Sequence, residues 1–491
     1  MKIRITLFFA GLLFISYSCK NDNAKEQITE KTEIRQWKPE DTRTITGVTS
    51  KRGLIKNTDQ ATPGYVLFSP GNSTQSYLMN MTGDVVHSWT GELSTLLHGY
   101  LLENGHLIRL ERDDDFPTFA AGGQAGRIRE YDWDGNMVWD FEYANENELT
   151  HHDIEILPNG NILAIAYEVK TPEEAIEAGR DPKHTAKAGI WPDKIIEIKP
   201  IKPSGGEIVW EWHMWDHLIQ DIDSTKQNYG VIAEHPEKIN INIHAEGPPP
   251  MTEEQIAGMK KMGFATSNAT VDNQTSDISH VNAISYNPEL DQIVISIPHF
   301  HEIYIIDHNT TTEEAKGSAG DLLFRWGNPA NYGKGTNEDQ KLFGQHDIKW
   351  VPKGYPGAGN LTVFNNDIVN PNNKLPSVFA ALMSPNPDPQ VSIADIGNYS
   401  AVYEFTPTKN EDGTYKISED GTYEPSEPTW TYTAPDKYSF YSAFISGAQR
   451  LNNGNTLITS GAKGRFIEVT PENEIVWEYW NPYNYEYKLP D

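Results

Sequence analysis

The chain has 491 residues, with 40 Lys and Arg against 69 Asp and Glu and a formal net charge of −29. That balance excludes a nucleic-acid or anionic-membrane surface as the main function, because both need a basic patch that exchanges counterions. Length alone would suggest two or three domains, and the single Cys leaves no disulfide within the chain.

The first element is a leader. Lys2 and Arg4 precede an apolar run from Ile5 to Tyr17 and then Ser18-Cys19-Lys20, the pattern of an export signal and not of a fold element. Cys19 stands where a bacterial lipoprotein is cleaved and acylated, although Ser16 occupies the third position before it in place of the usual leucine. A plain secretory signal is the alternative. Either way the mature chain is expected outside the cytoplasm, in the periplasm or at the cell surface, with any membrane attachment made through a lipid on Cys19. Residues 20–60 are polar and read as a tether.

Beyond the tether the chain repeats. First-half hairpins run LLHGYLLENGHLIRL from Leu96, HHDIEILPNGNILAIAY from His151, SHVNAISYNPELDQIVIS from Ser279, GQHDIKWVPKGYPGAGNLTVF from Gly344 and SGAQRLNNGNTLITSG from Ser446, with a degenerate one near Tyr65 to Ser69. Second-half hairpins begin at Ser76, Ile128, Ile195, Glu302, Ala401 and Phe466, and most close on an aromatic such as the V-W-x-h endings. Each half alternates apolar and polar residues around a Gly or Asn turn, so each is a β-hairpin. Six pairs of hairpins make six four-stranded blades. The expected fold is therefore all-β, a six-bladed β-propeller over about 61–486. Its tryptophans are expected to fill the space between stacked sheets.

Between Trp212 and Asp277 the repeat pauses for an insertion of about 213–278, with WHMWDHLIQD and a short helical pattern from Thr252 after Pro248-Pro249-Pro250. Together with the segment from Gly327 to Phe343 and the proline-rich loop from Pro385 to Gln390, it is expected to wall the mouth of a site on the rim.

Superposing the repeats places His98, His152, His280 and His346 at equivalent inner positions, with Ala448 or Gln449 in the last. Inner strands line a propeller's channel, so histidines far apart in sequence converge on one axis. Such a group can coordinate a transition metal, bind an anion, or supply a nucleophile with neighbours that hold developing charge. Asn282, two residues after His280, is expected to share the channel as a neutral donor. Strand alternation is expected to turn Asp153 and Asp347 to the opposite side, and the repeats offer no inward carboxylate for a metal.

Over about Tyr65 to Tyr483 the sequence resembles the bacterial arylsulfate sulfotransferases. The resemblance is strongest in HHDIEILPNGNILA, SHVNAISYNPELDQIVIS, WEWHMWDHLIQD and the long block FRWGNPANYGKGTNEDQKLFGQHDIKWVPKGYPGAGNLTVFNN. It implies a six-bladed propeller that moves a sulfuryl group from a phenolic sulfate ester to a phenol, without the nucleotide donor PAPS and without a cofactor or metal. It further implies that His346 is transiently sulfated and that His152, His280 and Asn282 complete the catalytic group. The family carries an arginine near the end of the strand after His280, where this chain reads Ser296-Ile297-Pro298-His299-Phe300-His301. His299 or Arg465 is expected to stand in for that charge, and His98 to form a pocket wall. About 40 residues precede the propeller, too few for the family's separate N-terminal β-domain, so the oligomeric state does not carry over. The alternative is a non-catalytic or hydrolytic propeller that binds a sulfated or other anionic ligand such as a sulfated carbohydrate; the missing arginine favours it.

Overall fold

The alternating segments form six antiparallel sheets, seen in a computed structural model that describes residues 35–36, 42–45 and 48–484, apart from 72, 114–117, 244–251, 262–265 and 369–397. Cys19, the leader, most of the tether and the loop from Pro385 to Gln390 lie outside the described residues.

In blades two to five the strands are ordered as they occur in the chain. Their inner strands are Thr95–Leu101, Glu148–Ile156, Ala283–Asn287 and His346–Trp350. Among the described residues blade one has three strands, starting at Tyr65–Phe68, and blade six has five. This corrects the expectation of six equal blades. The fifth strand is Gly53–Asn57, which pairs antiparallel with Ile475–Trp480, the last strand of blade six. The propeller therefore begins inside the stretch read as tether, and the N-terminal strand ties the chain start to the final blade.

Because every blade is antiparallel, the two faces of the ring differ. Tight turns such as Asn104-Gly105 and Asn159-Gly160 join strands on one face, where Gly105 and Gly160 take positive φ of 82° and 84°. The other face, where the inner strands begin, receives residues 113–125, 169–192 and the 214–282 insertion, whereas the connections 308–323 and 406–429 lie on the face of the tight turns. The insertion carries the expected helix as Glu253–Lys261. Met214, Leu218, Ile239 and Ile241 of the insertion are buried with Trp212 and Val281, so it is docked on the blades.

Apolar clusters fill each blade interface. Leu78 and Trp89 meet Leu107 and Tyr131 between blades one and two; Ile154 and Ile196 meet Ile128 and Trp139 between two and three; and Phe466 and Trp477 meet Val66 and Phe68 where six returns to one. The V-W endings have a second purpose. In each blade an outer-strand tryptophan donates its indole N–H to the next blade's turn: Trp89 to Asp132 O at 2.9 Å, Trp139 to Gly205 O at 2.8 Å, Trp210 to Thr310 Oγ1 at 3.3 Å, Trp326 to Pro425 O at 2.7 Å, Trp430 to Pro471 O at 2.9 Å and Trp477 to Met81 O at 2.9 Å. A tryptophan suits this place because it is apolar in body and polar at one edge.

Trp477 is fully buried and closes the ring. Trp477→Phe is expected to lose the hydrogen bond and some packing, at about 1–3 kcal/mol, and Trp477→Ala to cost about 3–5 kcal/mol. Thermal unfolding followed by circular dichroism checks the order; equal melting temperatures for wild type and Trp477→Ala would contradict it.

Candidate active site on the propeller axis

Strict alternation fails where the histidines lie. In blade three, Thr150 pairs with Ala166 and Ile154 with Ala164, so His151, His152 and Asp153 together oppose the single Ile165. In blade five, Asp347 and Ile348 oppose Val363, and in blade two Leu96, Leu97 and His98 oppose Leu110. These bulges kink the inner strands next to a site. His152, His280 and Asp347 take left-handed φ of 58°, 59° and 55°, a conformation more accessible to His and Asp than to most residues.

His346 opens its inner strand with its ring held at one edge. Its Nδ1 lies 2.9 Å from Asn366 Oδ1 and 3.1 Å from Gly344 O. Asn366 Nδ2 in turn donates to Ser442 O at 2.7 Å, which fixes the amide with its oxygen toward the histidine. Both partners of Nδ1 are acceptors, so Nδ1 carries the proton and Nε2 keeps its lone pair. Burial pushes the His346 pKa down to about 4 despite the opposing bonds from Asn366 and Gly344, with His280 and His98 adding repulsion. The ring is neutral at physiological pH. Asn366 was not singled out from the sequence, although it ends the long family block.

His280 sits against a carboxylate contributed by the insertion. Its Nδ1 forms a short hydrogen bond to Asp277 Oδ2, and Tyr167 Oη lies 3.2 Å from the same oxygen. Burial lowers the His280 pKa, but the charge and hydrogen bond of Asp277 outweigh it and hold the group above the ordinary imidazole value. The His299 ring stacks on His280 at 4.7 Å and its Nδ1 lies 3.2 Å from Asp277 O. Burial, with repulsion from His280, moves the His299 pKa the other way, below the ordinary value, although Asp277 opposes this. Arg465 lies on the third strand of blade six, with Nε 2.8 Å from Glu478 Oε1 and its guanidinium over Trp480 at 5.5 Å. Of the two expected stand-ins for the arginine, His299 is beside the histidines and Arg465 is paired elsewhere, and the imidazole most readily charged is His280 itself.

His152 meets His280 edge to face at 4.4 Å. Its pKa is held well below the ordinary value, by burial first and then by the neighbouring histidines His280, His151 and His346. Gly122 and Gly123 cross beside these rings: a Cβ on Gly123 would fall 2.1 Å from His152 Nε2, and one on Gly122 3.7 Å from His280 Nε2. Without side chains, the two glycines let the loop backbone pass directly against these rings.

Asn282 departs from expectation. It is buried, its Nδ2 donates to Gln345 O at 2.8 Å, and its Oδ1 has no hydrogen-bond partner. What it visibly does is hold the backbone leading into His346. His98 lies further along the axis, near enough to His346, Asp153 and Asp347 to interact with their charges. There Lys349 Nζ is 3.3 Å from Asp153 Oδ2 and from Tyr100 Oη, and Asp153 Oδ1 accepts from Tyr100 at 2.5 Å. Asp153 and Asp347 thus reach across to neighbouring blades, Asp153 to Ile284 N and Asp347 to Ala448 N. The bulges, which alternation does not anticipate, are the physical reason they are not turned away.

Asp277, His280 and His299 place one ligand atom each within 4.8 Å of one another, a set that a transition metal accepts. The carboxylate missing from the repeats is thus supplied by the insertion. The same atoms already satisfy each other as a proton-sharing pair with a stacked neighbour.

The fold and this axis define a β-propeller whose channel mouth holds a neutral imidazole with a free Nε2 beside an imidazole that a carboxylate favours as a cation. Residues 54–486 match the arylsulfotransferase (ASST) family model, and the chain belongs to that family. No curated protein matches the chain. Solved structures similar to it include a Bacteroides caccae protein of unknown function at 11% identity, covering 85% of this chain and 93% of that one with a TM-score of 0.41. Virginiamycin B lyase from Staphylococcus aureus is 10% identical, with 89% and 85% covered and a TM-score of 0.35. A putative 6-phosphogluconolactonase from Bacteroides fragilis is 10% identical, with 87% and 98% covered and a TM-score of 0.35. None of these likenesses bears on the chemistry.

Removing the Asp277 charge should release His280. Asp277→Asn is expected to lower the His280 pKa, which the Asp277 charge and hydrogen bond hold above the ordinary imidazole value, read by NMR titration of ring-labelled histidines. An unchanged His280 titration would show that Asp277 does not set its charge.

Proposed function

We propose that this protein is a PAPS-independent arylsulfotransferase that passes a sulfuryl group from a phenolic sulfate ester to a phenol through sulfated His346. The observation that carries this reading is the Nδ1 clamp: Asn366 Oδ1 and Gly344 O occupy one ring edge and leave Nε2 as the nucleophile. Nε2 attacks sulfur, the N–S bond forms as the S–O bond to the aryl group breaks, and the electron pair leaves on the phenoxide. The His280 imidazolium, with Nδ1–H on Asp277, has its Nε2–H free to donate to the sulfuryl oxygens as their charge redistributes. An acceptor phenol then takes the group from His346, and the ring returns to its neutral state. Splitting the transfer lets one pocket serve donor and acceptor in turn. A low nucleophile pKa weakens its attack but guarantees the unprotonated form.

The active form needs His346 neutral and His280 charged. Activity is therefore expected to rise as pH passes upward through about 4, where His346 loses its proton. It should fall as pH rises through the His280 pKa, which lies above 6.5. Asp277→Asn should move the descending limb to lower pH. A flat profile from mildly acidic to alkaline pH would contradict the assignment.

His346→Asn is expected to stay folded and lose transfer from 4-nitrophenyl sulfate to phenol by at least about a thousandfold. Mass spectrometry after donor alone should find one sulfate on histidine in the peptide holding Gln345 to Lys349. Label on another residue would overturn the nucleophile. Release of nitrophenol that ignores added phenol would mean hydrolysis, and binding of sulfate esters without turnover would favour the ligand-binding alternative.

We also propose that the protein is exported and anchored by lipid on Cys19, as the leader implies. Intact mass of membrane-extracted protein should show the acylated cysteine at the mature N-terminus; an unmodified product cut elsewhere would exclude it.

A further inference from the structure

The chain carries a second histidine, His151, directly before His152, and neither the repeat nor the family resemblance gives it a task. Its side chain is fully buried. Its ring lies parallel to Tyr167 at 3.6 Å, Nδ1 is 2.8 Å from His152 Nδ1, and Nε2 is 2.7 Å from Asp193 Oδ1. The last approach is close enough for charge attraction, although it lacks hydrogen-bond alignment. Asp193 is itself fixed, accepting from Ser279 Oγ at 2.5 Å and Val281 N at 3.0 Å through Oδ2. A buried histidine packed on an aromatic is ordinarily a structural residue. Here both its nitrogens are aimed, one at a carboxylate and one at a residue of the site.

The polarity of this line follows from its ends. A carboxylate oxygen facing His151 Nε2 favours a proton on that nitrogen, which leaves His151 Nδ1 as the acceptor. His152 Nδ1 must then be the donor, and His152 Nε2 carries the lone pair. A neutral His152 so arranged does not donate to a sulfuryl oxygen. It accepts a proton.

We propose that His151, lodged between Asp193 and His152, is a positioning residue that makes His152 the base for the acceptor phenol. This rests on the transfer reading above. As the acceptor oxygen bonds to sulfur, the N–S bond to His346 breaks and its electron pair returns to Nε2 of His346. The phenolic proton passes to His152 Nε2. The imidazolium so formed keeps its Nδ1–H on His151 Nδ1, with the Asp193 charge behind it, the arrangement by which a buried carboxylate steadies a catalytic imidazolium. The proton is handed to the phenoxide that departs from the next donor molecule, so the cycle closes without net proton change.

The test separates the two half-reactions in the full chain. His151→Phe keeps a ring against Tyr167 and removes both nitrogens. In rapid mixing with 4-nitrophenyl sulfate alone, nitrophenol release reports sulfation of His346. Decay of the sulfated enzyme on adding an acceptor reports the second half. With phenol, un-ionised at neutral pH, the variant is expected to slow the second half about 10- to 100-fold more than the first. With a nitrophenol acceptor that is already ionised, the gap should close. Equal slowing of both halves, or a gap that persists with the ionised acceptor, would reduce His151 to a packing residue and overturn the inference. His151→Gln, read by the same ratio, replaces the phenylalanine variant if that one does not fold. A wild-type enzyme that forms no sulfated histidine would instead bring down the transfer reading and this inference with it.

Discussion

Each blade of this propeller is tied to the next by an indole N–H that reaches from an outer strand to the neighbour's turn, above an apolar cluster that fills the same interface. Blade six closes on blade one through Trp477 and Met81. Everything on the axis depends on that closure. His152, His280 and His346 belong to three different blades, and no hydrogen bond within one blade fixes their separation. The tolerance of the site is the tolerance of the interfaces between blades three, four and five, which are filled by buried apolar side chains.

The strand topology then decides which end of the channel does chemistry. Antiparallel blades send the Asn-Gly turns to one face and the blade-to-blade and second-to-third strand connections to the other, and the histidines lie where the inner strands begin, among those connections. This is why loop residues reach them: Gly122 and Gly123 from a loop of blade two, and Asp277 from the end of the insertion. The bulges add the second ingredient. A left-handed residue at His152 or His280 turns a side chain that a regular strand would direct elsewhere, and strain of this kind is kept where the surrounding structure holds it and function uses it.

A chain with a net charge of −29 is an unlikely-looking host for a sulfate ester, and the local electrostatics resolve this. Cationic character at the mouth comes from an imidazole whose charge Asp277 favours, whereas the permanent cation of the axis, Lys349, is engaged with Asp153 and Tyr100. An arginine would be charged at every pH. A histidine paired with a carboxylate is charged over a limited range, so the substitution exchanges constancy for a pH-dependent site.

The sequence by itself determined the architecture and most of the cast. Period, turn residues and V-W endings are local signals, each repeated, and they specify six blades, the inner strands that hold His98, His152 and His346, and the approach to the fourth blade's inner strand, where His280 lies. Local signals could not show that Gly53–Asn57 leaves the polar tether to complete blade six, since a short strand of that kind is defined only by its partner. Nor could they show that Asn366 orients His346, that Asn282 holds Gln345 O, or that Arg465 is turned to Glu478. His151 and Asp277 were visible as letters next to known histidines, but their meaning depended on Asp193 and on the path of the insertion. Identity and period are properties of the chain taken a few residues at a time. Proton position, charge and reach are properties of atoms brought together from distant segments, and the closed ring alone brings them together.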